Sequence, residues 1–336
     1  MTIEALKVPN LRQLVLELLD QVLSGRVTTY RALALAMGDA IASRAVGLII
    51  AELEGSESHP WHRVVNSDGR TDSDEKSQRL QAEGVPSQEG QIADLRRYVF
   101  YQFQTEKPLK ALSALQDELA SRVSTESERS DFQTVGGVDL SYPNTWRGVG
   151  AYVQLDSQTG HLLHTQTLET EVNFPYIPSY LAFRELPVLL PLLSKVKDSG
   201  LLPDVLMVDG TGLLHPRHAG IASHLGVLLD LPTIGITKSL LHGKVDWAGM
   251  TCGEVRLITD PERGNAVIGA ALKTSERADP IFVSIGHRID LETAIKLTQR
   301  LSFGKLPEPI KQAHLACTRA AHPGQEPESG QRSLGL

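Results

Sequence analysis

Apolar residues at helical spacing open the chain. Leu11, Leu14, Val15, Leu18, Leu19 and Val22 recur every three or four positions, which predicts a helix over residues 11–23, closed by Ser24-Gly25. Val27-Thr28-Thr29-Tyr30 then leads into an apolar-rich stretch ending at Gly38, and a further helix is expected over residues 43–53. Two short helices around a tight, Gly-containing connection read as helix-turn-helix. Beyond residue 104 the spacing of Leu112, Leu115, Leu119 and Val123 predicts a helix over 110–123, followed by a polar loop over 124–131.

From Gln133 the period changes from helical to alternating. Runs at 134–141, 148–156 and 162–169 are separated by Tyr142-Pro143-Asn144 and Ser157-Gln158-Thr159-Gly160, so a three-stranded meander is expected. Helical spacing returns over 178–193, with a break expected near Pro187. A strand over 204–209, a helix over 216–229 and a strand over 233–237 follow. Three antiparallel strands extended by parallel βαβ units make a mixed, ribonuclease H-like sheet with helices on both faces, an α/β arrangement. Further strands are expected at 252–258, 267–272 and 281–284, and a helix at 291–301. The end of the chain, from about residue 319, is rich in Gly, Pro, Ser and Glu and is expected to be disordered.

Composition narrows the class. The 336 residues are 41% hydrophobic and 22% charged, as in ordinary globular proteins, and no apolar run is long enough to span a membrane. No basic segment followed by an apolar stretch marks a secretory signal, and Cys252 and Cys317 form no metal-ligand pattern; both features point to the cytoplasm. The net charge of −7 argues against indiscriminate coating of nucleic acid, so any nucleic-acid contact must come from local sites.

The segment Pro60-Trp61-His62-Arg63-Val64-Val65 bears on chemistry. It resembles the alkylguanine-DNA alkyltransferases, whose acceptor cysteine lies in Pro-Cys-His-Arg-Val, and more closely the alkyltransferase-like proteins, which have Trp at that position. Val27-Thr28-Thr29-Tyr30, Ser43-Arg44-Ala45-Val46-Gly47, Asn66-Ser67-Asp68-Gly69-Arg70 and the stretch from Gln78 to Val85 carry the same resemblance, over roughly the first hundred residues. It implies a small helical domain of winged helix-turn-helix type over residues 1–104. Arg44 would enter the duplex where the base leaves, Tyr30 would help rotate the nucleotide out, Trp61 would line the base pocket, and Arg70 would read the alkylated edge. An indole has no thiolate, so alkyl transfer is chemically unavailable.

The carboxylates in the second half form the other candidate site. Asp139 sits in an apolar strand, where an acid is unfavourable unless it is paired or binds metal. Asp209 ends a second strand, where open α/β sheets bind ligands, and Glu185 lies on the intervening helix. Clustered carboxylates suit Mg²⁺. His215, His218 and His224 have a spacing that a transition metal could use, but the acid cluster is the stronger candidate.

Six ordered stretches then resemble endonuclease V over about residues 107–315: Val135 to Tyr142, Pro175 to Glu185, Asp209-Gly210-Thr211-Gly212 with His215-Pro216-Arg217, Ala222 to Gly226, Thr233 to Ser239, and Ile285-Gly286-His287-Arg288. The resemblance implies that residues 105–318 form a nuclease cutting DNA at the second phosphodiester 3′ to deoxyinosine. Asp139, Asp209 and Glu185 would hold Mg²⁺, with Mn²⁺ as a substitute. Lys238 would neutralise charge on the phosphate, and His287 would act through a water near the metal. Tyr176-Ile177-Pro178 would be a wedge beside the extruded base, Gly210 and Gly212 would bring backbone amides close to it, and His215 and Arg217 would contact the DNA. Thr211, Leu214 and His218 stand where the family commonly has Gln, Ala and a second Arg; the first two positions are expected beside the base pocket. The partners implied are DNA with deaminated or alkylated bases and other repair proteins. Two rival readings keep the fold: a catalytically inactive damage-binding module, and an endoribonuclease acting at inosine in RNA.

Overall fold

The computed structural model describes residues 7–129 and 131–324. They form two compact units, one of residues 8–115 together with 173–180, the other of residues 116–172 and 181 onward.

The first unit is mainly helical. Helix α1 (Leu11–Asp20) starts where the Asn10 side chain accepts from the Gln13 N–H. A short strand β1 (Thr28–Thr29) runs into α2 (Tyr30–Met37), capped by Thr29 Oγ1 and stopped by Gly38 in the left-handed conformation, φ 111°. At Gly38 a side chain would also meet the backbone N of Lys110 at 2.8 Å, so two independent constraints select glycine there. Helix α3 (Ser43–Ala51) follows, and Leu11, Val15, Leu18, Leu33, Met37, Val46 and Ile49 bury the faces of the three helices. Each buried leucine contributes roughly 1.5–3 kcal/mol. Strand β2 (Val64–Val65) pairs in parallel with β1, an element hidden from periodicity by its two-residue length. Helix α4 (Asp74–Ala82) is capped by Ser73, with Asp74 and Glu75 in its first turn. A minimal hairpin, β3 (Ser87–Gln88) and β4 (Gln91–Ile92), precedes α5 (Leu95–Tyr98), and α6 (Pro108–Ala120) leads into the second unit.

The second unit is built on one eight-stranded mixed sheet. The meander is β5 (Thr134–Asn144), β6 (Arg147–Asp156) and β7 (Leu162–Glu171). The first strand is longer than its pattern predicts: Tyr142-Pro143-Asn144 continues it, and the turn falls at Thr145-Trp146. Helix α7 (Leu181–Asp198) runs unbroken through Pro187 and Pro191, because its buried face, Phe183 to Val196, outweighs the lost N–H donors. Then come β8 (Val205–Asp209), α8 (Ile221–Leu229), β9 (Thr233–Thr237), β10 (Val255–Asp260), β11 (Ala266–Leu272), β12 (Ile281–His287), α9 (Leu291–Arg300) and α10 (Glu308–Ala321). The helix expected from residue 216 begins only at Ile221, and α10 extends into the stretch expected to be disordered; residues 325–336 of that tail lie outside the described residues.

The strand order is β10-β11-β12-β9-β8-β5-β6-β7, with β5, β8 and β9 parallel and the other neighbours antiparallel. Val135, Met207, Ile234, Ile236 and Val283 pack on one face against Ile289, Leu297 and Ile310, which brings α9 and α10 there. Gly148 and Gly150 make room on the other face for Val188 and Leu192 of α7.

Candidate active site and nucleic-acid-binding residues

Alternation along three adjacent strands builds the acid cluster. Val135, Gly137 and Asp139 share a face of β5, as do Val205, Met207 and Asp209 on β8 and Ile234 and Ile236 on β9. Val138 pairs with Val208, and Asp209 with Ile236, so Asp139 and Asp209 stand level at the carboxyl end of the parallel strands. Lys238 follows β9 and places Nζ 3.7 Å from Asp209 Oδ2. Gly137 is glycine because a Cβ there would lie 2.2 Å from the carbonyl oxygen of Pro309. That approach seats α10 on β5 and delivers two residues that sequence reasoning left out of the site. His314 Nδ1 is 2.8 Å from Asp139 Oδ2, and Cys317 Sγ is 3.8 Å from the same oxygen. His314 lies about two turns into α10, and with Cys317 three residues later it makes only a His-x-x-Cys pair on one helix, which singles out no site until α10 is seated on β5.

The electrostatics are those of an incomplete charge balance. Glu185 is buried, and its Oε2 has no hydrogen-bond partner among the described residues. Burial, reinforced by the carboxylates of Asp139 and Asp209, raises its pKa well above the usual range. Burial and then Asp139 likewise push Asp209 up to about 7, against the opposing pull of Lys238 and His314. The hydrogen bond to Asp139 raises His314. Burial, then the Asp139 charge, raises the pKa of the Cys317 thiol and keeps it protonated in the metal-free protein. Three carboxylates crowded together, one with an orphaned buried oxygen, are a donor set that fits a hard divalent cation; Asp139, His314 and Cys317 also place ligand atoms within 4.8 Å of one another.

His287 is not part of this cluster. It pairs with Thr233 at the start of β9, while Asp209 pairs with Ile236 three residues further on, a separation of about 10 Å along the strand. A register shift between Ile285 and His287 turns the side chain to the opposite face, against Gly226 of α8. There its Nδ1 accepts from the Ser124 N–H at 3.1 Å and its Nε2 is 3.8 Å from Asp230.

The loop after Asp209 serves packing more than expected. The Gly210 N–H donates to Ile236 O and the Gly212 N–H to Ser284 Oγ, so neither amide is free for a base. Their glycines answer to close approach: a Cβ on Gly210 would meet Ile221 Cγ2 at 2.3 Å, and one on Gly212 would meet Ile285 O at 2.0 Å. Leu214 is fully buried among Met250, Ile258, Ile268 and Phe282, which places it in the core and not on a pocket wall. Thr211 remains partly exposed. His215 is buried and accepts from the Arg217 N–H, while Arg217 reaches Gln116 Oε1 at 3.3 Å. His218 joins neither His215 nor His224 in a ligand set: it meets Asp260, and His224 is buried against Phe183 and bonded to Gly220 O.

In the first unit Trp61 is buried, its Nε1–H donating to Ser56 O at 3.0 Å. The cations of Lys76 and Arg79 lie 5.7 and 5.5 Å from its ring, so its faces are occupied and it is not an open stacking shelf. A cleft of about 340 Å³ beside it is lined by Ser56, Glu57, Pro60, His62 and Arg79. Glu57, in the short loop Glu54-Gly55-Ser56-Glu57-Ser58, pairs with Arg79 at 2.7 Å. Tyr30 donates to Asp72 and receives from Lys76, a fully buried lysine. Arg44 and Arg70 are exposed, Arg70 only 3.7 Å from its nearest acid, Asp68. Sequence reasoning passed over Glu83, which binds both His62 and Arg63. Burial opposes ionisation of Glu83, but the hydrogen bonds from Arg63, His62 and the Gly25 N–H outweigh it and hold its pKa at about 2. Of the expected wedge, Ile177 is fully buried and Tyr176 is 40% exposed. The segment belongs to the first unit, where the Leu11 N–H donates to Asn173 O and Tyr180 Oη donates to Asp39.

Comparison with known proteins follows the same division. The Endonuclease V family matches residues 117–315, and the DNA-binding domain of 6-O-methylguanine DNA methyltransferase matches residues 10–85. A bifunctional methyltransferase/endonuclease of Picrophilus torridus is 34% identical over 303 residues, covering 88% of this chain and 92% of its own. Endonuclease V of Dictyoglomus turgidum is 39% identical over 206 residues, covering 61% of this chain and 87% of its own. Among solved structures, the catalytic domain of human Endonuclease V aligns with a TM-score of 0.60 at 32% identity, over 65% of this chain and 97% of that one. Endonuclease V of Ciona intestinalis, in complex with DNA containing an inosine followed by a ribo-adenosine, aligns with a TM-score of 0.58 at 31% identity, over 64% of this chain and 98% of that one.

Proposed function

Since the chain belongs to the endonuclease V family, we propose that it is a DNA-repair nuclease that nicks at the second phosphodiester 3′ to deoxyinosine, carrying a non-catalytic sensor of alkylated guanine ahead of the nuclease. The sensor is assigned to residues 1–104 and the nuclease to residues 105–318. The observation that carries the nuclease reading is the level pair Asp139 and Asp209, with the unpartnered buried Glu185 beside it and Lys238 at 3.7 Å.

Asp139, Asp209 and Glu185, with His314 bonded to Asp139, would hold Mg²⁺ or, as a substitute, Mn²⁺. The bound cation supplies an activated water and stabilises the leaving oxygen. The chain's own residues do the positioning. The Leu140 N–H holds Asp139 Oδ1 at 2.7 Å and His314 holds Oδ2, so the carboxylate plane is set before any ligand arrives. Lys238 offers a cation beside Asp209, able to turn toward a phosphate oxygen. Tyr176 and Pro178 are the exposed wedge residues available to an extruded base, and Arg217 is the candidate for a phosphate contact. In the first unit Arg44 and Arg70 are available to DNA; Tyr30 would help rotate the nucleotide out, and Trp61 would line the base pocket once Lys76 and Arg79 move off its ring. With Trp61 as the only side chain at the acceptor position, no alkyl transfer is expected.

No helix among the described residues is long and apolar enough to cross a membrane, in keeping with a cytoplasmic site of action on DNA, where the first unit could also engage other repair proteins. The test is nicking of an inosine-containing duplex with Mg²⁺. No cleavage at enzyme excess overturns the reading and leaves a damage-binding module. The Ciona relative was captured on a strand with a ribo-adenosine after the inosine, which keeps an RNA-directed reading in play. Deoxyinosine strands with a ribo- or deoxyribonucleotide at that position separate the two.

A further inference from the structure

Away from the acid cluster, a second group of ligating side chains converges. His218 Nε2 is 2.9 Å from Asp260 Oδ2, and His242 Nε2 is 3.1 Å from the same oxygen. The three ligand atoms lie within 4.8 Å of one another, and the two imidazole rings are 5.9 Å apart. Asp260 and His218 are buried and His242 is nearly so. The His242 contact has hydrogen-bond distance without hydrogen-bond direction: Nε2 is buried and has no hydrogen-bond partner among the described residues. Two nitrogens therefore aim at one carboxylate oxygen, and one of them is left unsatisfied, at a place where hydrogen bonding alone would favour alignment.

The surroundings hold each of the three in place. Asp260 Oδ1 accepts from the Glu262 N–H at 2.9 Å, which leaves Oδ2 directed at the imidazoles. His218 has φ 52°, a left-handed conformation that is uncommon outside glycine, and its N–H donates to His215 O. His242 is held through its neighbours. Gly243 has φ 93° and a Cβ there would meet Ile258 at 2.7 Å, while Lys244 and Thr259 exchange backbone hydrogen bonds of 2.8 and 3.1 Å. Arg263 is the nearby cation that opposes a further positive charge at His218. Loop strain is thus combined with a ligand set of two imidazole nitrogens and one carboxylate oxygen.

We propose that His218, His242 and Asp260 form a Zn²⁺-binding clip, separate from the catalytic acids, that ties the loops following Asp209 and Lys238 to strand β10. Two imidazoles and one carboxylate are a donor set for Zn²⁺, whereas Mg²⁺ prefers oxygen donors throughout. The connected elements give the clip its consequence. His218 lies in the stretch that carries Thr211, His215 and Arg217, and His242 follows Lys238 by four residues. Cross-linking both to an edge strand restricts the segments that must stay in place when DNA is bound.

The experiment uses the full chain with ZnCl₂ or CoCl₂ as the probe, in excess MgCl₂. One equivalent of Zn²⁺ is expected to be retained against a chromophoric chelator. His242→Gln and His218→Gln are each expected to weaken it by about 100-fold, and Asp139→Ala to leave it unchanged. The Co²⁺ form should show the visible bands of tetrahedral nitrogen and oxygen coordination, without a near-ultraviolet thiolate band. Zn²⁺ should raise the Tm of the unaltered chain and not that of His242→Gln, whose fold is checked by circular dichroism. Should either glutamine variant be unfolded, the other and the Co²⁺ spectrum of the unaltered chain decide. No retained Zn²⁺, retention in both His→Gln variants equal to that of the unaltered chain, loss in Asp139→Ala, or a thiolate band overturns the proposal; the last two would assign the ion to Asp139, His314 and Cys317. None of these readouts depends on inosine cleavage.

Discussion

His314 Nδ1–H donates to Asp139 Oδ2 across 2.8 Å, although 175 residues separate them. The contact ties the terminal helix to the strand that opens the sheet. His314→Gln should therefore weaken metal-dependent nicking, raising the Mg²⁺ midpoint by about 10- to 100-fold. His287→Gln, on the other face, should leave that midpoint within about twofold, since its partners are Ser124 and Asp230. A Mg²⁺ titration of both variants checks this; the opposite order would return His287 to the metal.

Gly137 tests how α10 reaches Asp139. A methyl group there would stand 2.2 Å from Pro309 O, and backbone cannot move aside as a flexible side chain can. Gly137→Ala should destabilise the chain by about 1–3 kcal/mol or more and reduce nicking along with it. Thermal unfolding and nicking are the measurements. An unchanged Tm would mean that α10 is not seated by that contact.

Glu185 is buried beside two other acids, so its charge opposes folding when no cation is present. Glu185→Gln should raise the Tm of the metal-free chain by a few degrees while lowering nicking by at least about 100-fold. A lowered Tm would show that the carboxylate has a partner that outweighs its neighbours' repulsion.

The pH dependence follows from Asp209, whose pKa rises from 3.8 to about 7 on folding. A raised carboxylate is protonated in both folded and unfolded states below about pH 4, so it has no effect there. Between about 4 and 7 the unfolded chain ionises first, and the metal-free protein loses stability as pH rises. Cation binding must displace that proton, so Mg²⁺ affinity should fall about tenfold per pH unit below 7. The Mg²⁺-induced rise in Tm should accordingly be larger at about pH 7.5 than at about pH 5.5. A rise that does not depend on pH would place the cation away from Asp209.

Arg44 and Arg70 are the exposed cations of the first unit expected to meet DNA. Arg44→Ala and Arg70→Ala should each weaken binding to an alkylguanine duplex by about 1–3 kcal/mol, leaving nicking of an inosine duplex by the same protein within about twofold. Binding and nicking measured side by side check whether the two activities are separable.

Much of the architecture was legible because it is written in short-range pattern. The alternation of residues 134–156 and the strand-turn-acid of residues 205–212 specify β5, β6 and β8 whatever packs on them. The two-residue strands β1 and β2 were not legible, since a pair of residues has no period. Pro187 predicted a break that the buried face of α7 overrides. The resemblance to endonuclease V put Leu214 beside the base pocket, but it faces Met250 and Phe282, contacts that only the folded sheet brings together.

What the sequence determined by itself was the inventory: an acid in an apolar strand, an acid at a strand end, a lysine after the next strand, and a Trp where a nucleophile would need sulfur. Strand parity then put Asp139 and Asp209 on one face, because alternation is a local property of the backbone. The tertiary structure decided the rest. A one-residue register shift turned His287 away, a missing Cβ at Gly137 admitted His314, and His218 found His242 and Asp260 instead of its neighbours in sequence. Each of these depends on which distant backbone lies within a few ångströms, and the chain's local preferences do not encode that.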